Sequence, residues 1–201
     1  MSMYSKLYKL LSGLIKKVYR VRIIGAENEP ENPPFIVCAN HISVQDVLIL
    51  AACLKHPLRF LAKAELFKVP ILRGIIKACG AIPIERGKGD VGAIKKSIAV
   101  LNEGEVLGLY PQGHRYPGKN PSETQPQGGV GLVVSRAKCT VLPVCIQPKG
   151  FKAKPFRKTY VTIGRPIEFG EFNMTENNKS EYDRVAHQIF DSVCAMVKEE
   201  E

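Results

Sequence analysis

Tryptophan is absent from these 201 residues, and aromatic residues make up only 7% of them. Base-stacking platforms for nucleic acid need exposed rings, and no nucleic-acid motif is present, which argues against such a partner. No window approaches eighteen uncharged apolar residues, so the sequence predicts no membrane-spanning helix. The six cysteines, at positions 38, 53, 79, 139, 145 and 194, form no C-x-x-C pair and mostly fall inside apolar segments. They speak against a zinc site or a disulfide framework and read as buried thiols of a reducing compartment. A secretory signal is missing as well, because lysines continue through Lys16 and Lys17 where an apolar core would end. The chain is therefore expected to stay inside the cell. Negative charge is scarce at one end: Lys6, Lys9, Lys16, Lys17, Arg20 and Arg22 all precede the first acid, Glu27.

Positive charge, by contrast, is plentiful. A formal charge of +10 and a pI near 9.4 imply an anionic partner, whether nucleic acid, anionic lipid or a phosphorylated small molecule. At the N-terminus, Tyr4, Leu7, Tyr8, Leu11, Leu14, Ile15 and Val18 recur at steps of three and four, the stripe of an amphipathic helix with a basic opposite face. Such a helix suits a membrane interface, with apolar side chains in the acyl boundary and cations on anionic headgroups; packing on its own domain is the other reading. The expected organisation is an amphipathic, membrane-associating helix over residues 1–20 and one domain over 21–201. No internal repeat appears.

After the turn-rich AENEPENPP, short β-rich runs alternate with helical ones. FIVCAN (35–40), LRFLAK (58–63), AIPIER (81–86), VLGLYP (106–111), TVLPVCI (140–146) and KTYVTIGRPIEF read as strands. Helices are expected over 43–55, in two short pieces split by Pro70, from a cap at Asp90 to about Leu101, up to about Lys138, and over 180–198. This rhythm predicts an α/β fold: a single domain whose mostly parallel, mixed sheet is flanked by helices.

Ligands of open α/β sheets bind beyond the carboxyl ends of the strands, and three polar clusters follow predicted strand ends: Asn40 with His41, Arg86, and Pro111 to Arg115. In NHISVQD, Ser43 is a natural N-cap, which would place Asp46 in the first helical turn, able to reach back to His41. An ionised aspartate bonded to one ring nitrogen leaves the other free as a base. A plain capping pair beside a loop histidine remains the alternative. Spacing alone is weak, since chance supplies a His with an Asp five positions later about 8% of the time in this composition. No G-x-S-x-G elbow exists, and Cys38 would lie buried as a thiol. A base without a protein nucleophile suits direct transfer of an activated acyl group, such as a thioester, to a substrate hydroxyl. ERGKGD and YPQGHRYPGK set Arg86, Lys88, His114, Arg115 and Lys119 among glycines, a composition that can cradle a phosphate monoester or simply form solvated turns. Basic stretches at 62–80 and 149–158 fit a bilayer surface, or, for the second, the phosphates of coenzyme A; a partly buried helix pair and a solvated loop are the respective alternatives.

NHISVQD, IPIER, YPQGHR and VLPV resemble, in order and approximate spacing, the four motif blocks of the glycerolipid acyltransferase family, whose bacterial branch makes phosphatidic acid from 1-acylglycerol 3-phosphate. The likeness runs from about residue 20 to 170. It implies that His41 is the general base and Asp46 its orienting partner, and that Arg86, Gly113 and Arg115 hold the acceptor phosphate; Asn40, Gln112 and His114 join the expected substrate-binding set, supported by Leu142 to Val144. It further implies acyl-CoA or acyl-carrier protein as donor, lysophosphatidic acid as acceptor, no metal or other cofactor, no nucleic acid, and a peripheral place on an anionic membrane surface at the cytoplasmic face. One departure stands out. The third block usually carries a glutamate between proline and glycine and a Thr or Ser after the glycine, whereas this chain has Gln112 and His114, which implies a different acceptor or lower activity. A thioesterase or lipid hydrolase using the same dyad, or a non-catalytic basic binding protein, are the competing classes.

Overall fold

Five parallel strands carry the centre of the molecule, and their shared direction puts every loop that follows them on one rim. A computed structural model describes residues 3–68, 73, 74, 76, 80–84 and 91–199, with the backbone alone for residues 3–10. Its order is α1 (Met3–Val18), β1 (Val21–Ile24), β2 (Phe35–Ala39), α2 (Asp46–Cys53), β3 (Leu58–Lys63), β4 (Ala81–Ile84), α3 (Val91–Asn102), β5 (Val106–Leu109), α4 (Gly129–Ala137), β6 (Thr140–Pro148), β7 (Thr159–Ile163) and α5 (Lys179–Cys194). The seven strands described form one sheet in the order β1-β7-β6-β2-β5-β3-β4. Strands β2 to β6 are mutually parallel, whereas β7 runs antiparallel to β6 and β1 runs parallel to β7.

Both faces are covered, as the near-continuous apolar strands require. On one side Phe35, Val37 and Ala39 pack with Ile49 and Leu50 of α2 and with Ile15 and Tyr19 at the end of α1. On the other, Ile36 and Cys38 pack with Val130, Val133 and Val134 of α4 and with Val185 and Ile189 of α5. Each such fully buried side chain contributes about 1.5–3 kcal/mol. The helix α1 thus rests on its own domain through Ile15 and Tyr19, while Leu11 and Leu14 stay exposed. No helix among the described residues is long and apolar enough to cross a membrane. Of the thiols, Cys38, Cys53, Cys139 and Cys145 are buried, as the sequence predicts.

Two expectations need correction. The four-residue β1 was not anticipated; VRII is too short to show alternation, and it gains its partner only from β7, far along the chain. The helix after NHIS begins at Asp46 rather than Ser43, with Gln45 at its N-cap and no side-chain cap bond. The Asp46 carboxylate takes the Ile42 and Ser43 amides. Strand β4 is described through Ile84; Glu85 to Asp90, and with them Arg86, Lys88 and the expected cap, lie outside the described residues, as do Pro70 and Cys79.

Candidate active site

The adjacency of β2 and β5 builds the site. Their register pairs Cys38 with Leu109, so the chain leaves β2 as Asn40-His41 beside the point where it leaves β5 as Tyr110-Pro111-Gln112. From β2 the chain crosses through α2 to β3 on one side, and from β5 through α4 to β6 on the other, a switch point where the loops part and leave a crevice.

His41 Nδ1 lies 2.9 Å from Asp46 Oδ2. That oxygen also accepts the backbone N–H groups of Ile42 and Ser43, each at 2.7 Å. The Asp46 side chain is fully buried, and since the oxygen that takes both amides is an acceptor, the Nδ1 facing it carries the hydrogen. The helix start at Asp46 adds the favourable end of its dipole. The other ring nitrogen, Nε2, has no hydrogen-bond partner among the described residues and keeps its lone pair. Asp46 Oδ1 is buried and unpartnered among those residues.

The imidazole is also clamped from its flat side. Tyr110 stacks on it with centroids 4.0 Å apart and planes 15° apart, and Phe60 stacks in turn on Tyr110 at 6.2 Å. Gly108 makes that possible, because a Cβ there would come within 2.3 Å of the Phe60 ring. Burial pushes the Tyr110 phenol well above its usual value, and the nearby Asp46 charge adds to the rise. The backbone of His41 is fixed at both ends: its N–H donates to Gln112 Oε1 at 2.5 Å, and its carbonyl accepts the Tyr116 N–H at 2.9 Å. Gln112 Nε2 donates to Thr124 Oγ1 at 2.8 Å, and Thr124 donates on to the Pro121 carbonyl at 2.6 Å. Tyr110, Tyr116 and Thr124 were missed by sequence reasoning, since nothing in composition or spacing signals a contact made across neighbouring strands.

The expected substrate-binding residues divide. Gly113, His114 and Arg115 are exposed on the rim; Gly113 sits at φ 72, where a Cβ would meet the Gln127 side chain at 2.6 Å. Asn40 is corrected: it is fully buried, and its amide closes a pair with the backbone of Ile146, donating at 2.9 Å and accepting at 2.7 Å, so it ties β2 to β6 and offers no atom to a substrate. Gln112 is corrected likewise, being 1% exposed with both amide ends engaged. Alternative nucleophiles are spoken for: burial raises the Cys38 thiol far above its usual value, and the Ser43 hydroxyl donates to the Gln45 side chain. No metal-ligating cluster occurs among the described residues.

A family model described as acyltransferase matches residues 20–147. A 1-acyl-sn-glycerol-3-phosphate acyltransferase of Bacillus subtilis is 26% identical over 174 residues, 83% of this chain and 85% of that protein. Another, from Streptococcus pneumoniae, is 30% identical over 81% of this chain and 59% of its own length. A lyso-ornithine lipid O-acyltransferase of Pseudomonas aeruginosa is 34% identical over 96 residues, 47% of this chain and 35% of its own. Among solved structures, a 1-acyl-sn-glycerophosphate acyltransferase from Thermotoga maritima superposes with a TM-score of 0.65 at 24% identity, covering 97% of this chain and 85% of that one, a likeness of fold.

Proposed function

Because the chain belongs to the acyltransferase family and is an O-acyltransferase, we propose that it moves an acyl chain from an acyl thioester, acyl-CoA or acyl-carrier protein, to the sn-2 hydroxyl of 1-acyl-sn-glycerol 3-phosphate, giving phosphatidic acid. The names of the relatives from Bacillus and Streptococcus support this acceptor. The observation that carries the mechanism is the His41–Asp46 pair: Nδ1 is tied at 2.9 Å, and among the described residues Nε2 is left open and no protein nucleophile stands ready beside it.

In that reaction His41 Nε2 takes the proton of the acceptor hydroxyl as its oxygen attacks the thioester carbonyl. Asp46 keeps Nδ1–H in place and balances the imidazolium that forms. The tetrahedral adduct expels thiolate, which recovers the proton from Nε2 and leaves as thiol, with no acyl-enzyme. Arg115 and His114 take the acceptor phosphate beside the left-handed Gly113, together with Arg86. The enzyme works from the cytoplasmic face of the membrane as a peripheral protein. A second reading, another lysolipid acceptor, is favoured by the lyso-ornithine relative.

Incubation of purified protein with a labelled acyl thioester and a panel of lysolipids tests this. Phosphatidate formation with equimolar thiol release is expected, falling about 10³-fold or more in His41→Ala. Free fatty acid released regardless of acceptor would overturn it.

A further inference from the structure

We propose that the sheet edge formed by Arg20, Arg22 and Lys158, with the Phe156 loop beside it, docks the protein on an anionic lipid bilayer, the Phe156 ring serving as apolar anchor. This deepens, and rests on, the reading of the acceptor as a membrane lysolipid.

The β1–β7 register pairs Arg22 with Tyr160, so these two side chains project to the same side of the edge, and Arg20, at φ 44, and Lys158 lie just ahead of the two strands. Arg20, Val21, Arg22 and Lys158 line one groove. Lys158 and Lys198 both approach the Tyr160 ring, at 5.6 and 5.7 Å. The preceding segment, 149–158, carries Lys149, Lys152, Lys154, Arg157 and Lys158 and no acid. Glu199 lines a separate cleft with Phe151 and Lys198.

The same segment shows an aromatic ring where a soluble surface gains nothing from one. Phe156 is 74% exposed and sits at φ 63, a left-handed backbone costly for a bulky residue. Its N–H donates to the Val18 carbonyl at 2.6 Å, which pins the loop against the last turn of α1, one turn beyond the exposed Leu14. Cations around an exposed apolar tip fit phosphate headgroups over an acyl boundary, whereas an acidic protein partner would give Phe156 no acyl layer to enter.

Strand direction then sets this surface beside the chemistry. Since β7 is antiparallel to β6, pairing Thr159 with Pro148, the starts of β7 and β1 lie on the rim where β2 and β5 end. A backbone chain links the two places: Tyr116 N–H to the His41 carbonyl, Gly118 N–H to the Phe151 carbonyl at 3.0 Å, and Phe156 N–H to Val18. Docking by this edge turns the open side of His41 toward the bilayer that holds the acceptor.

Co-sedimentation of the full chain with phosphatidylcholine vesicles, with and without phosphatidylglycerol, tests the proposal. Wild type is expected to bind only the anionic vesicles and to be released as salt rises. Each of Arg20→Gln, Arg22→Gln and Lys158→Gln is expected to weaken binding about five-fold, and Phe156→Ala about ten-fold or more, with Phe156→Leu restoring most of it. Turnover of a dispersed short-chain lysophosphatidate stays at the wild-type level in every variant, while turnover of vesicle-embedded acceptor falls with binding. Wild type failing to bind, variants binding as wild type, or variants raising the thioester KM in the dispersed assay would each overturn docking. Vesicle binding lost in the variants of a protein that turns over no lysophosphatidate would sustain docking and reject the acceptor instead.

Discussion

The side-chain oxygen of Gln112 accepts the backbone N–H of His41 at 2.5 Å across 71 positions of sequence. The residue that departs from the family pattern therefore grips the His41 backbone and is itself 1% exposed. Gln112→Ala leaves that N–H without its partner, a loss of about 1–3 kcal/mol; a lower thermal midpoint and a lower kcat at unchanged acceptor KM are expected. Gln112→Glu keeps the acceptor oxygen but requires Thr124 to turn its hydroxyl hydrogen from Pro121 to the new carboxylate. Steady-state kinetics on that variant are expected to shift kcat and leave acceptor choice alone. A switch of acceptor would show that position 112 reads the substrate directly.

Asp46→Asn retains an oxygen for the Ile42 and Ser43 amides but loses the charge that fixes the histidine tautomer. Circular dichroism is expected to match wild type while kcat falls by about 10³–10⁴-fold. Near-normal turnover would reduce the pair to a loop staple.

Tyr110 contributes a ring and a buried hydroxyl without a partner among the described residues. Tyr110→Phe keeps the stack on His41 and removes the stranded polar group, so stability holds or rises by about 1 kcal/mol. Tyr110→Ala removes the ring and costs about 3–5 kcal/mol. Chemical denaturation of the two variants separates the effects; a fall in kcat for Tyr110→Phe would assign the hydroxyl a part in turnover.

The buried thiols predict a pH dependence. Burial raises Cys53 and Cys145 to about 12 from the usual 9.0. Above pH 9 the unfolded chain gives up these protons while the folded one retains them, so stability is fully present below that pH and declines as pH rises toward 12. Thermal midpoints measured upward from pH 8 are expected to fall, with Cys38, Cys53 and Cys145 resisting iodoacetamide until the protein melts. Ready alkylation of Cys38 in the native state would contradict its burial.

Much of the chain was legible one segment at a time. FIVCA and TVLPVCI read as strands because a strand buried on both faces needs apolar residues at every position, a demand written locally. Gly104 at φ 74 marks a helix end by equally local chemistry. His41 and Asp46 were readable for the same reason, being five positions apart on one turn. Even there the cap was misassigned, since the helix begins at Asp46 and the Ser43 hydroxyl takes only the Gln45 N–H, at 3.3 Å, ahead of it.

Everything that depends on which strands are neighbours lay beyond such reading. That β2 sits between β6 and β5 brings Tyr110, Gln112 and Tyr116 onto His41 and closes Asn40 against Ile146. That β7 reverses direction carries Arg22, Phe156 and Lys158 to the catalytic rim. A period of two or 3.6 records which side of an element is apolar, but strand order and direction come from packing whole faces together, and no short stretch of residues carries that energy.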